Sequence, residues 1–183
     1  MIRGRFLGKG SSKQVFQSEH DGRTVAVLSG CSEKEVELME RLSSEYVVRV
    51  LCRLPENMIM TDLAEHGSLI DLQDSLEFDS SAVSSDHITF IVLQVQLALN
   101  AIWDLGYVHG DVAERNVLVF AYDECAPCKT KVKLGDLGEA RESGSVQEDV
   151  DSILAMNLRL RRAWDAHLQN WCFPVRKRMA LAN

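Results

Sequence analysis

Apolar positions fall in short runs through the first third of the chain and in helical stripes through the rest. Phe6 and Leu7 lead into a glycine-bearing stretch, GKGSSKQVF, from Gly8 to Phe16. TVAVL, Thr24 to Leu28, follows Gly22 and Arg23 and reads as a strand, because it is short, β-branched and uninterrupted. Ser32 then precedes a segment in which Val36, Met39 and Leu42 recur at helical spacing. With Glu35 three residues beyond Ser32, the segment predicts a capped helix ending at Leu42. VVRVLCRL (Val47 to Leu54) and MIMTDL (Met58 to Leu63) flank Pro55, Glu56 and Asn57, turn residues between apolar runs that predict a hairpin.

Beyond the hairpin the period lengthens. His66 to Leu76, HGSLIDLQDSL, predicts a short helix, and the polar residues from Asp79 to Asp86 a loop. Ile88, Ile91, Val92, Val95, Leu99 and Ile102 then mark one face of a long helix. Phe90, Leu93 and Leu97 make its other side apolar too, which predicts a helix buried all round. Leu105 and Gly106 end it, glycine being well suited to the residue after a helix. VLV after Asn116 and VKL before Gly135 are strand-like, and Val150, Ile153, Leu154, Leu158, Trp164 and Leu168 make a last helical stripe.

Composition narrows the class. A chain of 183 residues is one compact domain or a short two-lobed one. Apolar content of 46% and charged content of 26% are those of a soluble globular protein. A net charge of −7 argues against a general nucleic-acid binder. No apolar run is long enough for a bilayer, and the N-terminus lacks a signal-peptide core, so no membrane partner is expected. Five cysteines, an odd number scattered through apolar contexts, point to a reducing, cytoplasmic setting. Cys125 and Cys128 have zinc-ligand spacing, but without a second pair they read better as a loop between two strands. The basic tail, Arg159, Arg161, Arg162 and Val175 to Arg178, reads as a solvated face.

The chemistry gathers in two runs: YVHGDVAERNVLV, Tyr107 to Val119, and VKLGDLGEAR, Val132 to Arg141. Asp111, Asn116 and Asp136 supply hard oxygen donors of the kind Mg²⁺ prefers. The first run resembles the protein-kinase catalytic loop HRDxxxxN in His109, Asp111 and Asn116; the second resembles DFG in Asp136, Leu137 and Gly138. The resemblance implies an α+β, bilobal kinase-like fold, with a β-rich N-lobe and hinge over residues 1–62. A reduced helical C-lobe over 63–183 would lack the activation segment and later helices. It also implies ATP and Mg²⁺, with Asp111 orienting the attacking hydroxyl and Asn116 and Asp136 holding the metal.

Gly8, Gly10 and Val15 match the kinase glycine-rich loop, but Lys13 stands at its third glycine. VAVL stands for VAIK, so Leu28 replaces the phosphate-binding lysine. The two changes together resemble the WNK ("with no lysine") kinases, in which that lysine has moved to the second strand. Glu35 aligns with its glutamate partner, so a Lys13–Glu35 pair is implied. By the same resemblance Leu7, Val15, Ala26 and Leu118 sandwich adenine, Met60 is the gatekeeper, and Thr61, Asp62 and Leu63 form the hinge.

Further departures bear on function. Gly110 replaces the arginine that pairs with a phosphorylated activation loop, which implies no such switch; HGD is also similar to aminoglycoside phosphotransferases. AERN, Ala113 to Asn116, resembles the AARN of tyrosine kinases, with Arg115 matching. His109 reads as a packing residue. EDVDSIL, Glu148 to Leu154, resembles the start of the central C-lobe helix, with Asp149 placed to brace the catalytic loop. The expected activity is phosphoryl transfer to a Ser, Thr or Tyr hydroxyl of a protein partner recognised as a folded surface. Leu28, Gly110 and Ala113 keep a pseudokinase scaffold in view, and HGD a small-molecule phosphotransferase or ATPase.

Overall fold

The computed structural model describes residues 4–10, 13–76, 84–142 and 144–180, the last by backbone alone from 164 onward. Part of the polar loop, the side chains of Trp164 and Leu168, and those of Val175 to Arg178 lie outside the described residues. The fold is α+β and bilobal. β1 (Arg5–Lys9), β2 (Gln14–His20), β3 (Arg23–Ser29), β4 (Val50–Leu54) and β5 (Met58–Asp62) form one antiparallel sheet in the order β1-β2-β3-β5-β4. Asp21 and Gly22, at φ 49° and 72°, make the two-residue turn between β2 and β3. Two positive φ values match the strand twist there, and an Asp-Gly pair tolerates them. The predicted hairpin at Pro55 to Asn57 forms, with Glu56 and Asn57 at φ 61° and 54°.

α1 (Glu33–Arg41) begins where the sequence places it. Ser32 is its N-cap, its hydroxyl accepting the Glu35 amide at 3.2 Å, and Leu42 ends it. Val36, Leu38, Met39 and Leu42 are buried against the sheet and the C-lobe. The strand expected from Val47 starts only at Val50. Val48 instead donates to the Leu134 carbonyl at 2.9 Å, and the Leu134 amide donates to Tyr46 at 2.8 Å. These three residues are therefore spent joining the lobes.

The C-lobe holds α2 (Leu69–Leu76), α3 (Ser85–Asp104), the hairpin of β6 (Val117–Ala121) and β7 (Lys131–Leu134), and α4 (Val146–Ala180). α2 starts later than His66, because His66 and Gly67 are bonded to Val119 in strand fashion. Ser68 then caps it, exchanging hydrogen bonds with Asp71: the Ser68 amide to Oδ2 at 2.7 Å, the Asp71 amide to the hydroxyl at 3.2 Å. α3 carries a capping box between Ser84 and His87 and ends at Leu105, with Gly106 at φ 82°.

Two apolar faces differ from expectation. Ile88, Ile91, Val95, Leu99 and Ile102 are buried, but Phe90 and Leu93 are 37% and 51% exposed. The β6–β7 hairpin and α4 cover only one side of α3, so the helix is not buried all round. On α4 the buried line is Asp149, Ile153, Met156 and Leu160, whereas Leu154 and Leu158 are 54% and 55% exposed. Leu154 lies one residue, about 100°, round the helix from Ile153. The described part of the chain has no activation segment: only residues 140–145 separate the turn after β7 from α4 in the sequence. Among the described residues no helix is long and apolar enough to cross a membrane.

Candidate active site

A cavity of about 390 Å³ opens between the sheet and the β6–β7 hairpin. Leu7, Gly8 and Gly10 from the β1–β2 hairpin roof it, with Val15, Ala26 and Leu28 on the sheet and Leu118 opposite. A Cβ at Gly8 would meet nothing within 4 Å, so the glycine leaves open space over the cavity. Leu63 and Ala64 line it where β5 has ended. Met60 requires a correction. Ala26 pairs with Thr61 and Val27 with Met60, so Met60 shares the far face of the sheet with Val27, and Thr61 lines the cavity. Met60 therefore does not line the cavity as the gatekeeper assignment requires, whereas Thr61, Asp62, Leu63 and Ala64 do. The strand alternation decides this, and a gap-free alignment of one short run could not.

Lys13 stands at the inner end. Its ammonium bonds Glu35 Oε1 at 2.5 Å and also bonds Asp136 Oδ1. α1 delivers Glu35, which is 3% exposed, and the turn after β7 delivers Asp136. Ser32 accepts the Glu35 amide, but the Glu35 carboxylate turns inward to Lys13 and does not close a capping box. Burial pulls the Lys13 pKa down, but hydrogen bonds and charge from Asp136 and Glu35 outweigh it and hold the ammonium above its ordinary value. Asp136 is the mirror case: burial raises its pKa, and Lys13 with the Gly138 amide brings it below the usual range. The pair is charged at neutral pH. Gly138 lies against this pair: a Cβ there would be 3.3 Å from Asp136 Oδ1 and in ordinary contact, 3.4 Å, with the Lys13 ammonium. Asp136 sits at φ 58°, in left-handed backbone, which turns its carboxylate toward Lys13.

The catalytic-loop residues form a second group. Asn116 Nδ2 donates to the Asp111 carbonyl at 2.8 Å and to Asp111 Oδ2 at 2.9 Å. Its amide oxygen is thereby the atom left to meet a cation. Arg115 bonds the other Asp111 oxygen at 2.5 Å. His109 is fully buried; its Nε2 meets the Gly135 carbonyl at 3.0 Å and its Nδ1 accepts the Asp111 amide at 3.2 Å. It positions both acid-bearing turns and does not face the cavity. Asp149 braces the loop from below. Its carboxylate accepts the His109 amide at 2.8 Å, the Gly110 amide at 2.9 Å and Trp103 Nε1 at 2.9 Å. The sequence points to Asp149, but the indole partner carries no sequence signal.

The donor set fits a magnesium nucleotide. The Asp136 carboxylate lines the inner end with the Lys13 ammonium bonded to it, apolar walls continue toward Leu63, and the Asn116 amide oxygen in the catalytic loop is a second hard donor. A profile of the protein tyrosine and serine/threonine kinase family matches residues 7–167. The chain belongs to this kinase family. A Drosophila melanogaster protein described as "Activated Cdc42 kinase-like" is 28% identical over 136 residues, covering 73% of this chain and 10% of its own length. A Caenorhabditis elegans protein described as "Ack-related non-receptor tyrosine kinase" is 30% identical over 142 residues, covering 73% of this chain and 12% of its own. The chain thus spans about a tenth of the curated relatives it matches.

The cation beside Glu35 and Asp136 comes from the residue before β2, while Leu28 of β3 contributes an apolar wall. The CxxC lies in the loop between β6 and β7, where the sequence puts it. Both thiols are exposed and free, and no metal-holding cluster occurs among the described residues.

Proposed function

We propose that the chain is an active protein phosphotransferase that uses ATP and Mg²⁺, with Lys13 doing the work of the absent third-strand lysine. The observation that carries this reading is the ammonium of Lys13 held between Glu35 and Asp136. Decay to an inert scaffold has no reason to retain a buried glutamate for a lysine at a displaced position. Magnesium-bound ATP would supply the transferable phosphoryl group. Leu7, Val15, Ala26 and Leu118 hold the adenine, and Leu63 and Ala64 offer backbone groups at its edge. Lys13 would neutralise phosphate charge, and Asp136 and Asn116 would hold the metal. Asp111 accepts the proton of the attacking hydroxyl, its carboxylate oriented by Asn116 and Arg115. Such transfer depends on positioning and charge neutralisation rather than covalent help. The likeness to WNK kinases is part of this proposal, as are a Ser, Thr or Tyr acceptor on a protein and a cytoplasmic setting.

The test is Mg²⁺-dependent transfer from γ-labelled ATP by wild type, Asp111→Asn and Lys13→Ala. Loss of a transition-state contact is expected to lower turnover by about a hundredfold or more in each variant. Wild type that binds nucleotide but transfers nothing makes the chain a pseudokinase. Label found only on small acceptors or as free phosphate favours the small-molecule or ATPase reading.

A further inference from the structure

The side of α3 that the sequence expects to be buried is instead one wall of a groove. Phe90, Leu93 and Leu97 form that wall; Phe120 of β6, Lys131 and Lys133 of β7, Cys128 and Tyr46 complete the cavity of about 570 Å³. None of these residues lines the nucleotide cavity. We propose that this groove binds an extended peptide segment of a protein partner, with apolar and acidic side chains in alternation.

The geometry selects that occupant. Phe90, Leu93 and Leu97 follow one another at helical spacing, a row about 10 Å long. An extended peptide places alternate side chains about 7 Å apart on one face, so two apolar groups fit the row. The cations have the matching period. Lys131 and Lys133 are two apart on β7 and share a face, while Val132 between them is buried. The intervening side chains of the peptide would meet these lysines, which favours acids. Among the described residues Glu45 is the only acid lining the groove, in a chain whose net charge is −7. The basic edge is thus local and complementary to an acidic segment. Lys133 is held in place, its ammonium 5.0 Å from the Phe120 ring centre and 4.0 Å from Asp62 Oδ2. The groove is also preformed. The Gln94 side chain ties α3 to β7, donating to the Thr130 carbonyl at 3.0 Å and accepting from the Val132 amide at 3.1 Å. A rigid apolar floor loses little entropy on binding.

The peptide-binding proposal does not rest on the kinase reading. Binding is tested without turnover, so either can fail alone. A random-peptide display library is selected on the intact chain, and the enriched peptides are measured by fluorescence anisotropy against wild type, Leu93→Asp and Lys131→Glu. Both positions are exposed, so melting temperature and nucleotide affinity should be unchanged. The expected result is enrichment of alternating apolar–acidic peptides whose affinity falls about tenfold or more in each variant, as for the loss of one anchoring contact. Bound peptide should also slow alkylation of Cys128, which lines the groove, and leave exposed Cys125 as reactive as before. No enrichment, enrichment of basic peptides, or binding indifferent to both substitutions overturns the proposal. So does self-association abolished by Leu93→Asp, which would make a second copy the occupant.

Discussion

His109 shows how much one side chain can fix. Its two ring contacts ask for opposite roles: Nε2 must donate to the Gly135 carbonyl, and Nδ1 must accept from the Asp111 amide. Only the neutral ring does both. Burial is the main cause that lowers its pKa, against the opposing pull of the Gly135 carbonyl and of Asp149, Asp111 and Asp136. A histidine whose folded pKa is lowered binds its proton more readily when unfolded. Its contribution is therefore complete above the unfolded value, about 6.5, and is lost as pH falls below it. Melting temperature should begin to drop below about pH 6.5, and His109→Gln should flatten that slope. An unchanged slope in the variant would remove His109 as the acid-sensitive group. Asp136, also lowered, acts in the same direction at more acid pH, below its unfolded value of about 3.9. Lys13, raised, acts at the alkaline end, and its contribution is lost as pH rises through its folded value.

At the scale of elements, two turns are held by single residues with no substitute. Asp149, on the first turn of α4, takes hydrogen bonds from His109, Gly110 and Trp103. Asp149→Ala would leave those donors buried and unpaired, at a cost on the order of 3 kcal/mol in urea unfolding. Gly110 answers why the kinase arginine is missing. Its φ is 76°, and a Cβ would lie 3.0 Å from the Glu139 carbonyl and against the Arg141 guanidinium. Gly110→Arg should destabilise by about 1–3 kcal/mol; equal stability to wild type would leave the missing arginine without a structural cause. These elements also mark what the sequence makes legible. The Ser32 cap, the Leu105–Gly106 stop and the Lys13–Glu35 pair could be read because each depends on local residue chemistry or on a motif of fixed spacing. The Met60 assignment failed by one position, because a short apolar run does not reveal which of its residues faces the cavity. Phe90, Leu93, Leu154 and Leu158 were unreadable for a different reason. A hydrophobic stripe says that a face can be buried, but only the neighbouring elements decide whether anything covers it.

The whole molecule places a tightly assembled catalytic core beside a bare surface. Lys34 of α1 donates to the Ala140 carbonyl at 3.1 Å, and Tyr107 bonds Glu142 at 2.6 Å while Arg41 of α1 lies 5.6 Å over its ring. These contacts hold α1, and so Glu35, against the stub that follows Asp136. Only residues 140–145 separate the turn after β7 from α4 in the sequence, too short a length to cradle an acceptor peptide beside Asp111. On the proposed kinase reading, an acceptor hydroxyl would have to be brought there by contacts made elsewhere on its own protein, and such remote binding is what raises turnover at the reacting atoms. If the chain is the kinase proposed above, generic short peptides should be acceptors with kcat/KM about a hundredfold or more below that of an intact protein acceptor, the scale of an orientation effect lost. The comparison needs one intact protein that the chain labels and a short peptide cut from around its labelled hydroxyl. Equal kcat/KM for the two would show that the local sequence alone is recognised, and the missing platform would then have no functional consequence.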